Sequence, residues 1–549
     1  MKKLNSIFMI MSLLFFFQCA NQQMPPGGPK DKTPPEIINI YPPDGTLNFN
    51  DDHFEIEFSE YIDKLSLLNA LFISPEIKRI DYDWSGTSVE ITFDDTLREN
   101  TTYTVSIGSE VKDLNNKNPM ATAVNFTFST GPEIDSGKIG GMVYGNDLSG
   151  TMVFAYLKAD TFANPVTEKP INVTQVGKNG NYQLMGLKKG EYRIFAVKDE
   201  NGNRLYNIGE EAYGVISEPV ILNDSVTEIS GINFKMTKED TVAPFISNIT
   251  MTDRYHFSVE YSEFLDPSEF FAQNFCLVDT LNNHKVKVKY YFQGNKKKFE
   301  YFLVIADTLP SNGNYVLIAK NIYDKFGNRN PYDKFEITLN EKPDTLFPKI
   351  KPIVTPYKEN KIDYLNPYFT IVFSDAISSD SLNNSLILDK YDWEIKKVTD
   401  AKFIVKILSD VKPATEIDFK IDRSKITDAA GNKIDSLQSF KINTLTGREL
   451  TGLSGKVEFA ENIQNMVVVI NGCSSSGSEY RTKVKRDSSY SFERILPDKY
   501  TIWMFDDKNN NGKFDYGKIS PFQFSEKFFT YPDTLLLRPR WPVGDVIIK

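Results

Sequence analysis

The 549-residue chain contains three histidines, three cysteines and four tryptophans, and these scarcities exclude several classes of function. His53, His256 and His284 include no pair with metal-ligand spacing. None of them lies in a motif that would activate a serine or cysteine nucleophile. No glycine-rich phosphate loop of the Walker or Rossmann type is present. The chain is therefore expected not to be an enzyme and to require no cofactor. Three cysteines are too few for a disulfide framework, and Cys276 and Cys473 are expected as small buried side chains. Basic residues are in deficit, with 63 Lys and Arg against 73 Asp and Glu and a net charge of -10. A nucleic-acid partner would need a basic face, so none is expected. Beyond the first twenty residues no apolar run is long enough to span a bilayer.

Aromatic residues, by contrast, are plentiful at 13%, and Phe and Tyr supply most of them. They favour strands, and the length suits several domains of ordinary size. Lys2 and Lys3 precede an apolar run over 7–17 that is too short to span and fits the core of a signal peptide. The run ends in Phe16-Phe17-Gln18-Cys19. This resembles a bacterial lipobox, with Phe16 where Leu is usual and Gln18 where a small residue is usual; a looser form of this kind is familiar in Bacteroidetes. The resemblance implies that 1–19 is a lipoprotein signal peptide and that Cys19 is lipidated, placing the protein on a membrane through its lipid. Residues 20–33, rich in Pro, Gly and polar side chains, read as a flexible tether. The first acid after Cys19 is Asp31, and by resemblance to exported lipoproteins this favours the periplasmic face of the outer membrane over the cell surface.

The remainder repeats with a period of about 100 residues, in two patterns. The first occurs over 34–132, 240–340 and 345–446. Its clearest copy opens with Pro34-Pro35-Glu36-Ile37 and alternates through Phe54-Glu55-Ile56-Glu57-Phe58-Ser59-Glu60 and Val89-Glu90-Ile91-Thr92-Phe93. It turns at Asp113-Leu114-Asn115-Asn116 and closes on Phe126-Thr127-Phe128-Ser129-Thr130. The later copies place their turns at Asp324-Lys325-Phe326-Gly327-Asn328 and Asp428-Ala429-Ala430-Gly431-Asn432. Alternation at period two gives strands with one buried face, and Asp followed by Gly-Asn supplies a tight turn. These segments resemble the bacterial Ig-like domains of S-layer and envelope proteins. In that family the recurrent acids are turn and strand-edge features.

The second pattern occurs over 137–238 and 452–549. Each copy has a Gly-x-Val strand (Gly141-Met142-Val143; Gly455-Lys456-Val457), then Tyr182-Gln183-Leu184 or Tyr490-Ser491-Phe492, then a segment ending in Tyr192-Arg193-Ile194 or Tyr500-Thr501-Ile502. It resembles the transthyretin-like, carboxypeptidase-regulatory-like β-sandwich, a scaffolding and binding unit. The expected fold is all-β, a tandem array of Ig-like and transthyretin-like β-sandwiches.

One stretch has chemistry in its spacing. Asp507, Asn509 and Asn511 place side-chain oxygens at alternate positions, Gly512 permits a bend, and Asp515 returns a carboxylate. Calcium takes six to eight oxygens in a flexible shell, so this pattern suits Ca²⁺ at modest affinity; a turn held by its own hydrogen bonds is the alternative. Asp199, Asn201 and Asn203 form a poorer first copy. Of the tryptophans, Trp84, Trp393 and Trp503 are expected to pack, and Trp541 to cap a domain or meet a partner. The expected function is a structural or interaction lipoprotein, a spacer or scaffold docking on an outer-membrane partner. The alternative is a glycan- or ligand-binding surface protein.

Overall fold

The period-two patterns become buried faces in the computed structural model, which describes residues 30–294, 296–458, 463–474 and 477–549. The leader, Cys19 and most of the tether lie outside the described residues. The described residues are all-β apart from short helical turns, and the chain divides into two compact units: Met1–Leu205 with Pro219–Lys235, and Tyr206–Glu218 with Met236–Lys549.

The first unit begins with a sandwich whose four-stranded sheet runs Ile37–Tyr41, His53–Phe58, Ser88–Phe93, Ile80–Ser85. Its three-stranded sheet runs Leu71–Ser74, Thr102–Ile107, Val124–Ser129. Phe54, Ile56 and Phe58 alternate inward against Phe126 and Phe128. Each such side chain contributes about 1.5–3 kcal/mol of burial. The second sandwich pairs Asn172–Gln175, Thr151–Leu157 and Gly190–Lys198 in one sheet, and lays Asn181–Leu187 against Gly137–Tyr144 in the other. Two short strands, Glu228–Ile229 and Phe234–Lys235, close that second sheet by parallel pairing.

In the second unit the third sandwich departs from two separate sheets. Its seven strands form one continuous sheet because His284–Gln293 serves both halves. The first part of that strand pairs with Phe275–Asp279, the later part with Glu300–Ile305, and a register shift between Val288 and Tyr290 bends it around the corner. The fourth sandwich is built from Tyr368–Val372, Lys402–Ile407 and Trp393–Thr399 facing the sheet of Glu416–Asp422 and Leu437–Thr444. The fifth repeats the second: Thr451–Val457 pairs antiparallel with Ser489–Ile495 and parallel with the closing strand Val543–Ile548.

The repeated Gly-x-Val and Tyr signatures have one cause. A Cβ on Gly141 would stand 1.9 Å from the Ile232 carbonyl oxygen, and one on Gly455 1.8 Å from that of Val546. The same two carbonyls accept hydrogen bonds from Tyr182 (2.7 Å) and Tyr490 (3.1 Å). The glycine thus admits the closing strand and the tyrosine pins it. A second tyrosine in each copy ties its own corner, Tyr192 to the Lys188 carbonyl at 2.8 Å and Tyr500 to that of Leu496 at 2.7 Å.

Neighbouring sandwiches inside a unit share buried contacts. In the first unit the Val173 N–H donates to Ser74 Oγ at 2.9 Å in a buried position, and Arg204 pairs with Glu76 at 3.2 Å. In the second, Phe292 and Val304 of the third sandwich belong to the hydrophobic core of the fourth, beside Phe369 and Phe403. Asp400 of the fourth accepts from the Tyr291 N–H at 2.9 Å and returns its own N–H to the Tyr291 carbonyl at 3.1 Å. The fourth and fifth are joined by Arg494, which grips Asp363 through two nitrogens and lies over the Tyr364 ring.

The expectation of two buried thiols is not met. Cys276 lies on the outward phase of strand Phe275–Asp279 and is half-buried, and Cys473 is exposed in the bend after strand Met466–Gly472. Trp84, Trp393 and Trp503 are partly buried, whereas Trp541 is 73% exposed.

Candidate functional site

The C-terminal Asp/Asn loop follows strand Lys499–Asp506, whose end delivers Asp507 into a fully buried position. Asp507 Oδ1 accepts from the Asn511 N–H at 2.9 Å and Oδ2 from the Gly512 N–H at 3.0 Å. Left-handed backbone at Asn510 (φ 59°) and Gly512 (φ 72°) bends the chain so that these bonds form. Asn509 Nδ2 reaches Asp515 Oδ2 at 2.6 Å. The structure therefore brings Asp507, Asn509, Asn511 and Asp515 into one loop held by its own hydrogen bonds.

It also adds a residue that the spacing did not reveal. Glu526 is 4% exposed and accepts from the Lys508 N–H at 2.9 Å and the Asp515 N–H at 3.0 Å. Burial pushes its carboxyl above the ordinary range, and Asp515 and Asp507 add to the push. Eleven residues separate it from Asp515, and only the return of the chain along 515–527 places it here. That return stretch also holds residues 206–218 inside the second unit: Tyr213 donates to the Gly517 carbonyl at 3.0 Å and Ser525 Oγ to the Val215 carbonyl at 2.9 Å. In the earlier copy, Asp199 accepts from the Asn203 and Arg204 N–H groups at 3.1 and 2.9 Å, the same register as Asp507.

A second set of acids recurs in the first, third and fourth sandwiches. The turn aspartates Asp113, Asp324 and Asp428 are buried. The last asparagine of each turn donates its side-chain amide to the carbonyl of an entering aspartate: Asn118 to Asp31 (3.2 Å), Asn328 to Asp240 (2.8 Å) and Asn432 to Asp344 (3.2 Å). The strand acid completes each set as Glu60, Glu263 or Asp375. The serine before it bonds the entering backbone, with Ser59 Oγ accepting from the Glu36 N–H at 3.0 Å and Ser374 Oγ from the Lys349 N–H at 2.9 Å. Burial first, then Asp240 and Asp324, raise the Glu263 carboxyl to about 7. Asp240, Glu263 and Asp324 present carboxylate oxygens all within 4.8 Å of one another.

The fourth sandwich differs by including an imidazole. His256, 4% exposed, holds Asp253 Oδ1 through Nδ1 at 2.8 Å and Asp375 Oδ1 through Nε2 at 2.9 Å. Burial opposes its charge, but the two carboxylates outweigh burial and push the imidazole up to about 10. Local spacing carries no sign of this meeting, because 119 residues separate His256 from Asp375.

The opening, the strand acid, the turn and the closing threonine of the first sandwich together match a known pattern. Residues 31–130 are a bacterial Ig-like domain. The matched segment starts at Asp31, the acid that Asn118 anchors. No curated protein matches the chain. Among solved structures, the chain is similar to the N-terminal part of the bacterial S-layer protein SbsC, at 15% identity and a TM-score of 0.17, covering 37% of this chain and 44% of that one. It is similar to an L,D-transpeptidase from Mycobacterium smegmatis at 17% identity and a TM-score of 0.15, covering 29% and 60%. A third is BcpA, the major pilin subunit of Bacillus cereus, at 10% identity and a TM-score of 0.14, covering 75% and 99%. The chain thus spans less than half of the S-layer fragment. Among the described residues no helix is long and apolar enough to cross a membrane.

Proposed function

We propose that the chain is a structural protein of the bacterial cell envelope, lipid-anchored at Cys19 on the periplasmic face of the outer membrane, that acts as a multidomain spacer or scaffold for an outer-membrane partner and has no catalytic activity of its own. The observation that carries this reading is the joining of neighbouring sandwiches within each unit. Phe292 and Val304 enter the next sandwich's core, and Ser74 bonds Val173 in a buried joint. Joints of this kind hold spacing and transmit force, which a scaffold needs and independently tumbling binding modules do not. The Ig-like domain at 31–130 supports the same reading.

The test is a crosslinked pull-down from membranes, with Cys19→Ala as the anchoring control. Recovery of one stoichiometric envelope partner, together with release of the variant into the soluble fraction, supports the proposal. A chain that carries no lipid, or that recovers only glycan, rejects it. A glycan- or ligand-binding role is the second reading. It draws on Trp541 and on an apolar groove of about 380 Å³ in the first sandwich, lined by Tyr61, Leu65, Leu68, Trp84 and Leu114.

Within this reading, calcium occupies the Asp507 loop and stiffens the 515–527 stretch that holds residues 206–218. Millimolar calcium is expected to raise the melting temperature of the wild type by a few degrees and to leave Asp507→Asn unmoved. Equal shifts in both proteins would reject the loop as a calcium site.

A further inference from the structure

The imidazole-containing cluster differs from its two counterparts in the donors it offers. Asp375 is one methylene shorter than Glu60 and Glu263, and His256, from the preceding sandwich, approaches it to 2.9 Å. We propose that His256, Asp344, Asp375 and Asp428 bind a divalent transition-metal ion, with zinc the best chemical match. One donor atom from each of His256, Asp344 and Asp375 lies within 4.8 Å of the others. A tetrahedral zinc shell with bonds of about 2.0–2.2 Å sets its ligands roughly 3.3–3.6 Å apart, so His256 Nε2 and Asp375 Oδ1, now 2.9 Å apart, would part slightly to admit the ion in place of the hydrogen bond between them.

An independent observation points to a missing ligand. Asp428 is only 8% exposed, and its Oδ1 accepts from the Asn432 N–H at 2.8 Å. Its Oδ2 is buried without any hydrogen-bond partner. Asn432, whose N–H bonds Asp428, also donates its side-chain amide to Asp344 Oδ2 at 3.2 Å, so Asp428 stands beside the cluster. A buried carboxylate oxygen with no donor is a vacant acceptor that a cation satisfies.

The histidine is held as a ligand would be. Asp253 Oδ1 accepts from the backbone N–H groups of Tyr255 (2.9 Å) and His256 (3.1 Å) and from His256 Nδ1 (2.8 Å). This fixes the ring and leaves Nε2 facing the acids, the carboxylate–histidine arrangement that supports metal sites. A divalent ion at Nε2 would take the place of the proton that His256 shares with Asp375. Imidazole nitrogen selects first-row transition ions over calcium and magnesium. The all-oxygen sets Asp31–Glu60–Asp113 and Asp240–Glu263–Asp324 offer no such donor. The ion would bridge the third sandwich to the fourth, because His256 belongs to one and Asp375 and Asp428 to the other.

The test uses the full chain in detergent, stripped with chelator and titrated calorimetrically with zinc and, separately, calcium. The wild type is expected to take up one zinc that is lost in His256→Gln and in Asp428→Asn but kept in Asp507→Asn, with at least tenfold preference for zinc over calcium at that site. Cobalt(II) should give visible absorption bands in the wild type that His256→Gln removes. If His256→Gln fails to fold by circular dichroism, Asp428→Asn decides, because asparagine retains the bond to the Asn432 N–H. The proposal is overturned if the wild type takes up no zinc, if both folded variants keep full zinc stoichiometry and affinity, or if calcium binds at this site as tightly as zinc.

Discussion

Gly455 shows how much one residue can decide. Its missing side chain makes room for the Val546 carbonyl, to which a Cβ would come within 1.8 Å. Gly455→Ala must push the closing strand outward, and a cost of at least about 2 kcal/mol is expected from overpacking against backbone. The matched control is Gly544→Ala, where the nearest atom to a new Cβ lies 3.8 Å away. Urea midpoints of the two variants should differ accordingly, and equal midpoints would show that the strand does not need the gap. Glu263 gives a pH test. Its carboxyl sits near 4.5 unfolded and about 7 folded, raised by burial and by Asp240 and Asp324, with Lys325 opposing. Below about 4.5 both states hold the proton, and the folded state bears no penalty. As pH rises from about 4.5 to about 7 the unfolded group ionises while the folded one keeps its proton, so stability falls, and the loss is complete above 7. Glu263→Gln is expected to be more stable than wild type at pH 8, on the order of 1 kcal/mol after solvent screening, and indistinguishable at pH 4.5. Thermal melts at the two pH values check this.

At the scale of the element, the recurring turn and its entering segment form a single device. Asn328 Nδ2 donates to the Asp240 carbonyl and to Asp324 Oδ2, both at 2.8 Å. Asn328→Ala removes both bonds and is expected to cost about 1–2 kcal/mol. Hydrogen exchange should then quicken around 240–246 while the strand Tyr315–Tyr323 stays protected, whereas uniform quickening would mean that the turn merely supports the whole sandwich. Such elements were legible in the sequence because local rules govern them. Phe54, Ile56 and Phe58 announce a buried face by alternation, and Asp428 with Gly431-Asn432 announces a tight turn. The Asp507 loop was legible for the same reason. Glu526 was not, since it reaches the loop through the chain's return. The parallel closing strands escaped notice for a related reason: Phe234–Lys235 and Val543–Ile548 join strands begun about ninety residues earlier, and alternation says nothing about which distant strand is the partner.

For the molecule as a whole, joints decide behaviour more than individual domains do. Phe292 stacks on Phe302 at 5.1 Å within the third sandwich and also belongs to the core of the fourth. Phe292→Ala should cost about 3–5 kcal/mol. More tellingly, it should split a shared unfolding transition of the two sandwiches into separate steps in calorimetry. A wild type that already shows separate steps would mean that the joint does not couple them. The sequence divided these two segments cleanly at about residue 345, and their shared core was invisible there because Phe292 reads equally well as an inward residue of its own strand.

The parallel closing strand sets a timetable. Thr451–Val457 is made early in the fifth sandwich, yet one of its edges waits for Val543–Ile548. Contacts this remote along the chain form slowly because the intervening loop must first be ordered. During synthesis and any passage through a secretion channel, that first strand must travel with an open edge, able to pair with whatever strand it meets. A chaperone that shields residues 451–457 until residue 548 has emerged would meet that need.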